Sequence, residues 1–325
     1  MVKQLSFGKP RIFGFLLEYL VFFAILILVL VTAIVEPNFL TSQNFTNLMR
    51  QFGPLSFVAL GMTFIIIGGF IDLSVPGLIS LVAIITLSLV DVIGEVPAMV
   101  VGLSLGTTLG CLTGSILVVS WANTQAKALF ITYGMSQLFR SIALQITDGR
   151  SMNRQFIEHP MPVTEALGTG MIGPLSISFA LFLFFMGVLY IFQTKTILGR
   201  SVNYTGGNIV AAELSGIPTK RIMVMIYSIG GFMVAVCSIV LFSRVWVTTP
   251  AVGDNFERDA IMAVVVGGTS LLGGKGSVLR TMMGVSLVVL LSNCMNLLGV
   301  QTHLQEVLRG AILVTAIWLD HRRHR

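Results

Sequence analysis

The sequence predicts an all-α protein that crosses a membrane about ten times. Three observations predict it: composition, a succession of apolar windows, and a one-sided distribution of basic residues. Apolar residues make up 55% of the 325-residue chain and charged ones only 10%, against roughly 25% charged in soluble domains. Mean hydropathy is +0.91. A helix needs about 20 apolar residues to cross about 30 Å of hydrocarbon, so such helices fill the chain. We therefore expect a single transmembrane domain over 1–325.

The windows, taken between polar breaks, are 19–35, 55–67, 78–92, 96–119, 128–147, 172–192, 222–243, 259–272, 279–298 and 304–319. The first follows Lys3, Lys9 and Arg11 but exceeds the apolar run of a cleaved signal. It also lacks a small-x-small site before Glu36-Pro37 and reads as an uncleaved span. The second and third are one long apolar stretch broken at 68–77. There Gly68 and Gly69 end one helix, Asp72 or Ser74 can accept bonds from orphan N–H groups, and Pro76 suits the first turn of the next helix. A break at membrane depth has to be buried in protein or line a cavity. A tight turn with a capping Asp and a contact for a transported solute both satisfy that.

An even number of spans puts both termini on one side, and charge identifies the side. With the N-terminus inside, Lys127, Lys195, Arg200, Lys220, Arg221, Lys275 and Arg280 fall inside together with the basic residues of both termini. Asp91, Glu95, Asp148, Glu158, Glu165, Asp254 and Glu257 fall outside. That is the positive-inside pattern, so the net charge of +6 is a topology signal and not a nucleic-acid footprint. Cys111, Cys237 and Cys294 lie within spans, where small apolar packing is their ordinary use.

Two windows carry polar stripes at helical spacing: Tyr133, Gln137, Arg140 and Ser141 in one, and Ser292, Asn293 and Asn296 in the other. Such stripes face other helices or a pore, and Arg140 in particular requires a partner. Catalytic chemistry is absent from the pattern, since the four His stand in loops and the tail and no nucleophile–base–acid spacing occurs. The run 267–277 superficially suggests a phosphate loop, but Thr269 stands at its first Gly position and Gly276 at its Ser/Thr position. No ATP is expected on this chain.

The basic loop 194–221 contains one soluble-looking segment, 203–216. Ala211-Ala212-Glu213-Leu214 reads as a short helix, opened by Asn208 as N-cap and closed by Gly216. It has no lipid to bind and no catalytic groups, so it reads either as a docking surface for a soluble partner or as an ordinary loop helix.

Together these residues resemble the permeases of bacterial ribose-type ABC transporters. Phe70-Ile71-Asp72-Leu73-Ser74-Val75 is similar to that family's Gly-Ile-Asp-Leu-Ser-Val motif. Leu198-Gly199-Arg200, Gly206-Gly207-Asn208, Ala211-Ala212 and Leu214-Ser215-Gly216-Ile217 resemble its cytoplasmic loop. Asp259-Ala260-Ile261, Ala263-Val264-Val265, the run 267–276 and Asn296-Leu297-Leu298-Gly299 follow in the family's order. Departures are Phe70 and Pro76 for Gly, Ile209 for an acidic residue, and Arg280 for Gly.

The resemblance implies half of a sugar import channel in the bacterial inner membrane, working with a second permease chain. Its other partners would be a cytoplasmic ATP-binding cassette subunit that carries ATP and Mg, and a periplasmic sugar-binding protein. Gly206, Gly207, Asn208, Ala211, Ala212, Glu213, Leu214 and Gly216 would form the ATPase-coupling region. Phe70, Asp72, Ser74, Tyr133, Gln137, Arg140, Asn293 and Asn296 are the candidates for the translocation path. The rival expectation is a secondary transporter driven by an ion gradient, with Asp72 and Arg140 as coupling residues.

Overall fold

The structure, a computed structural model, describes residues 20–122 and 124–323. The basic stretch with Lys3, Lys9 and Arg11, and the two C-terminal residues, lie outside it. Thirteen α-helices account for nearly all regular structure among the described residues. They are α1 Leu20–Val35, α2 Ser42–Ile67, α3 Val75–Ile93, α4 Glu95–Val119, α5 Gln125–Thr147, α6 Pro162–Thr169 and α7 Ile177–Lys195. After these come α8 Ile197–Gly207, α9 Ile209–Leu214, α10 Thr219–Val245, α11 Phe256–Val266, α12 Val278–Leu297 and α13 Thr302–Arg323. Six of them, α2, α3, α4, α7, α10 and α12, are long and apolar enough to cross a membrane. The protein is an all-α, multi-pass membrane protein.

Every apolar window carries a helix, but several bounds shift. Helix α2 begins at Ser42, thirteen residues before its apolar window, because Thr41 accepts a hydrogen bond from the Asn44 amide (3.2 Å) and starts it in polar sequence. Helix α7 begins at Ile177, since the preceding residues form the hairpin of β2 (Met171–Ile172) and β3 (Leu175–Ser176). The largest difference is the window 259–272. Its helix α11 is only 11 residues long and rises about 16 Å, roughly half the hydrocarbon thickness. Gly267 ends it and the rest of the window is loop.

The core forms around α2, whose buried run extends from Gly53 to Ile67, packed by α7, α10, α11 and α12. Helix α10 approaches α4 closely because α4 presents glycine every fourth residue. A Cβ at Gly110 would sit 2.3 Å from the Tyr227 carbonyl oxygen, and one at Gly106 would sit 2.6 Å from Ala235 Cβ. Small residues at this period are how membrane helices bring backbones together. A reciprocal amide pair ties α2 to α12. Asn293 Nδ2 donates to Asn44 Oδ1 (2.8 Å), and Asn44 Nδ2 donates to Asn293 Oδ1 (3.1 Å) and the Phe39 carbonyl (2.9 Å). We expect Asn293→Ala to lower thermal stability by about 1–3 kcal/mol by orphaning the Asn44 amide. The Asn44→Leu/Asn293→Leu double variant should recover part of that loss, which a melting comparison in detergent measures.

Two stretches of the chain repeat one design. Helix α2 ends at Gly68-Gly69 and α11 at Gly267-Gly268. Both glycine pairs have the same backbone, with φ −67° then +87° in one and −64° then +90° in the other. The closing hydrogen bonds are also the same: Gly69 and Phe70 donate to Ile66 and Ile65, and Gly268 and Thr269 donate to Val265 and Val264. This is the Schellman termination, and the positive φ favours glycine at the second position. Each unit then passes through loop into a new helix, α3 or α12, with Ser74 or Ser277 just before its first turn.

The segment between α2 and α3 is not a tight turn. Residues 70–74 run without regular secondary structure back into the bundle beside α5. Gln125, at the start of α5, donates to the Leu271 carbonyl, while the amides of Leu73 and Gly77 donate to Thr132 Oγ1 (3.0 Å) and Ser136 Oγ (3.2 Å). Thr132 and Ser136 lie about 10 and 16 Å further along α5, so α3 begins inside the bundle. Helix α11 begins at a similar level, where the Gly253 amide donates to Ser80 Oγ (3.3 Å) and Arg140 pairs with Asp254 (3.0 Å). The loop between α10 and α11 is held at its other end by β4 (Val247–Thr248), antiparallel to β1 (Met152–Asn153).

Candidate functional site

Two features combine polarity, tight geometry and sequence motifs. The first lies at the end of the bundle that carries Lys195, Arg200, Lys220 and Arg221, where Lys220 Nζ also stands 4.9 Å over the Trp121 ring. Thr196 caps α8 by accepting from the Gly199 amide (2.9 Å), and Asn208 caps α9 by accepting from Ala211 (3.0 Å). Gly216 closes the segment at φ +79°. The short helix expected from sequence is present with the expected caps. Its inward face is different, however: Ala212 is buried, whereas Val210, Ala211, Glu213 and Leu214 face outward, Leu214 with 85% of its surface exposed. Ala212 thus belongs to the packing side and not to the free surface. Glu213 is held at the surface by accepting a bond from Thr219 Oγ1 (2.6 Å).

Behind this segment, the end of α8 bears directly on the Gly68-Gly69 termination and on the Gly273-Gly274 pair in the loop before α12. A Cβ on Gly206 would lie 1.8 Å from the Ile67 carbonyl oxygen and 2.8 Å from backbone atoms of Gly68 and Gly274. Gly273 in turn meets Gly206 and Gly69, and the Gly274 amide donates to the Ile67 carbonyl (2.8 Å). Backbone meets backbone on three sides. The run 267–277 that superficially suggests a phosphate loop is preceded by a helix, and its Gly273-Gly274 pair serves this contact. The role of those two glycines was not read from sequence. The available signal was the repeated Gly-Gly after an apolar run.

Asp72 lies on the segment leading from this junction to α3. It is buried, and its Oδ1 accepts from the Ser74 amide (2.8 Å). The bond fixes the approach to α3; the Ser74 side chain itself caps no first-turn N–H group of α3. Tyr227 of α10 donates to the neighbouring Ile71 carbonyl (3.2 Å). Phe70 and Ser74 are buried as well, Phe70 lining a 180 Å³ cavity beside Gly206 and Gln125.

The second feature lies at the opposite end. A cavity of about 310 Å³ opens between α2, α10, α11, α12 and α13, lined by Gln51, Arg244, Asp254, Asp259, Ser292, Asn296 and Arg309 over an apolar base. Arg309 donates to Asp259 Oδ2 (2.7 Å) and Ser292 Oγ (3.0 Å), and Asn296 Oδ1 accepts from Gln305 (3.0 Å). The expected stripe on α12 is therefore split, with Ser292 and Asn296 on the cavity wall and Asn293 turned into its amide pair. Of the stripe on α5, Tyr133, Gln137 and Ser141 lie on the helix's exposed face, and Arg140 finds its partner in Asp254. Sequence reading missed Gln51, Arg244, Asp259 and Arg309. Their signal was charge or polarity inside or at the edge of an apolar window.

Comparison with known proteins agrees along the chain. The family described as branched-chain amino acid transport system / permease component matches residues 44–317. The ribose import permease of Haemophilus influenzae is 33% identical over 310 residues, covering 94% of both chains. That of Bacillus subtilis is 35% identical over 305 residues, covering 93% of this chain and 92% of its own. The D-allose transport system permease of Escherichia coli is 31% identical over 325 residues, with 98% and 96% covered. No solved structure matches the chain.

Proposed function

Because this chain belongs to the branched-chain amino acid transport system / permease component family, we propose that it is the membrane permease of an ATP-driven monosaccharide importer in a bacterial inner membrane. The relatives named for ribose and allose support a small sugar as cargo. The basic end faces the cytoplasm, as positively charged loops do, and both termini lie there. A second permease chain covers the polar face of α5 (Tyr133, Gln137 and Ser141) and completes the pore, since polar side chains are costly against lipid. A binding protein delivers sugar from the other side. ATP and Mg belong to a separate cytoplasmic subunit.

One observation carries the coupling assignment. Segment 206–216 presents an exposed apolar residue, Leu214, on one side, while on the other its Gly206 abuts the end of α2 and the Gly273-Gly274 loop before α12. A soluble subunit that grips α9 therefore acts, through α8, on the end of α2 and on the loop before α12. Closure of the ATPase pair would move α8 and α9, and with them the two breaks, alternating access between the two ends.

Leu214→Arg should release the ATPase subunit on purification in mild detergent and abolish sugar-stimulated ATP hydrolysis, with the permease melting like the parent. Retention of the ATPase by this variant would remove the docking assignment. Uptake into vesicles holding ATP, with proton and sodium gradients collapsed, separates this reading from the gradient-driven one. Transport should persist, and its loss would favour a carrier that uses Asp72 and Arg140.

A further inference from the structure

We propose that the polar cavity at the end opposite α9 is a binding station for one neutral monosaccharide, held mainly by the Asp259–Arg309 pair and Asn296. This rests on the importer reading above.

Size is the first argument. A cavity of about 310 Å³ holds about ten waters at their liquid volume, which admits one pentose or hexose together with a few waters. It lies at the lower end of ordinary small-molecule sites.

Chemistry is the second. Each sugar hydroxyl both donates and accepts, so a site for it needs donors and acceptors side by side, which a carboxylate, a guanidinium and an amide supply. Asp259 receives Arg309 on Oδ2, which leaves Oδ1 to accept hydroxyls. The Nε of Arg309 is buried with no protein partner. Asn296 commits its Oδ1 to Gln305, which leaves its NH₂ group as a donor. The base of the cavity is apolar, with Phe256 available to the C–H face of a sugar ring.

Charge is the third. Both wall carboxylates are already matched by guanidinium groups, Asp254 by Arg140 and Asp259 by Arg309. Arg244 stands at the rim. A neutral ligand thus enters without leaving a buried charge unpaired.

The test uses the full chain in detergent with Ser292→Cys on the cavity wall and half-buried Cys111 replaced by Ser. Cys237 and Cys294 are buried and stay. The rate of modification by a small thiol reagent is measured with about 50 mM ribose, xylose, allose, arabinose, galactose or glucose, far above the millimolar range that a weak site reaches. At least one of these sugars should slow the reaction about fivefold or more, while sucrose, too large to enter, and glucuronate should not. Cysteine at exposed Thr302 should react at the same rate throughout. Asn296→Leu should abolish the protection while the variant still folds and melts cooperatively.

Protection by none of the six sugars, equal protection by glucuronate, or protection that survives Asn296→Leu would overturn the station. Neither the ATPase nor a binding protein is present in this assay. Failure here while Leu214→Arg still releases the ATPase removes only the station. Protection here while Leu214→Arg retains the ATPase removes only the docking assignment.

Discussion

Gly206→Val is expected to abolish transport and to leave little folded permease in detergent. Its Cβ would stand 1.8 Å from the Ile67 carbonyl oxygen, with Gly68 and Gly274 backbone atoms at 2.8 Å. None of these atoms can step aside as a flexible side chain would. Overpacking a tight contact usually costs about 1–3 kcal/mol, and a clash against three backbones belongs at or beyond the top of that range. The neighbouring glycine supplies the control. A Cβ on Gly207 meets nothing closer than the Gly274 Cα at 4.0 Å, so Gly207→Ala should melt like the parent. Size-exclusion yield and melting temperature of the two variants decide the point. Equal behaviour would mean that α8 does not bear on the end of α2 and the Gly273-Gly274 loop.

Arg309→Met is expected to have the second-largest effect. Its side chain is about one-fifth exposed and so is that of Asp259. Removing one partner from a fully buried pair costs about 3–5 kcal/mol; with this much solvent access, about 2–3 kcal/mol is the expected loss. Ser292 also loses its donor. Asp259→Asn in the Arg309→Met background should restore stability in part, because it removes the charge that was left without a partner. Melting temperatures of the two single variants and the double variant form the cycle that measures this coupling. A double variant no more stable than Arg309→Met would assign the loss to packing of the arginine stem.

Local signals were legible in the sequence and long-range ones were not. The Asn208 cap, the Gly216 stop, the Gly68-Gly69 termination and the Pro76 start each depend on a few neighbouring residues, and all four are present. The family motifs were legible for the same reason. The burial of Ala212 was not legible because six residues of helix hold too little periodicity to show which side packs inward. Asn293 was read as part of a stripe, since its partner Asn44 is 249 residues away in sequence. The window 259–272 was read as one helix because apolar residues continue past Gly267. The glycine pair there repeats the one at 68–69 and was the available correction.

The interior starts of α3 and α11 have an electrostatic consequence. The first turn of a helix carries roughly half a unit of positive charge on its unpaired N–H groups, and here two such poles lie at similar depth. Asp72 stands just before one, and Asp254, Glu257 and Asp259 stand just before or within the other. Arg140 and Arg309 hold two of these acids from neighbouring helices. These carboxylates are thus counter-charges to two helices that begin inside the bundle. Such charge is costly in a continuous span and favourable beside a helix start, so acids inside an apolar window mark where the backbone leaves and re-enters the helical state.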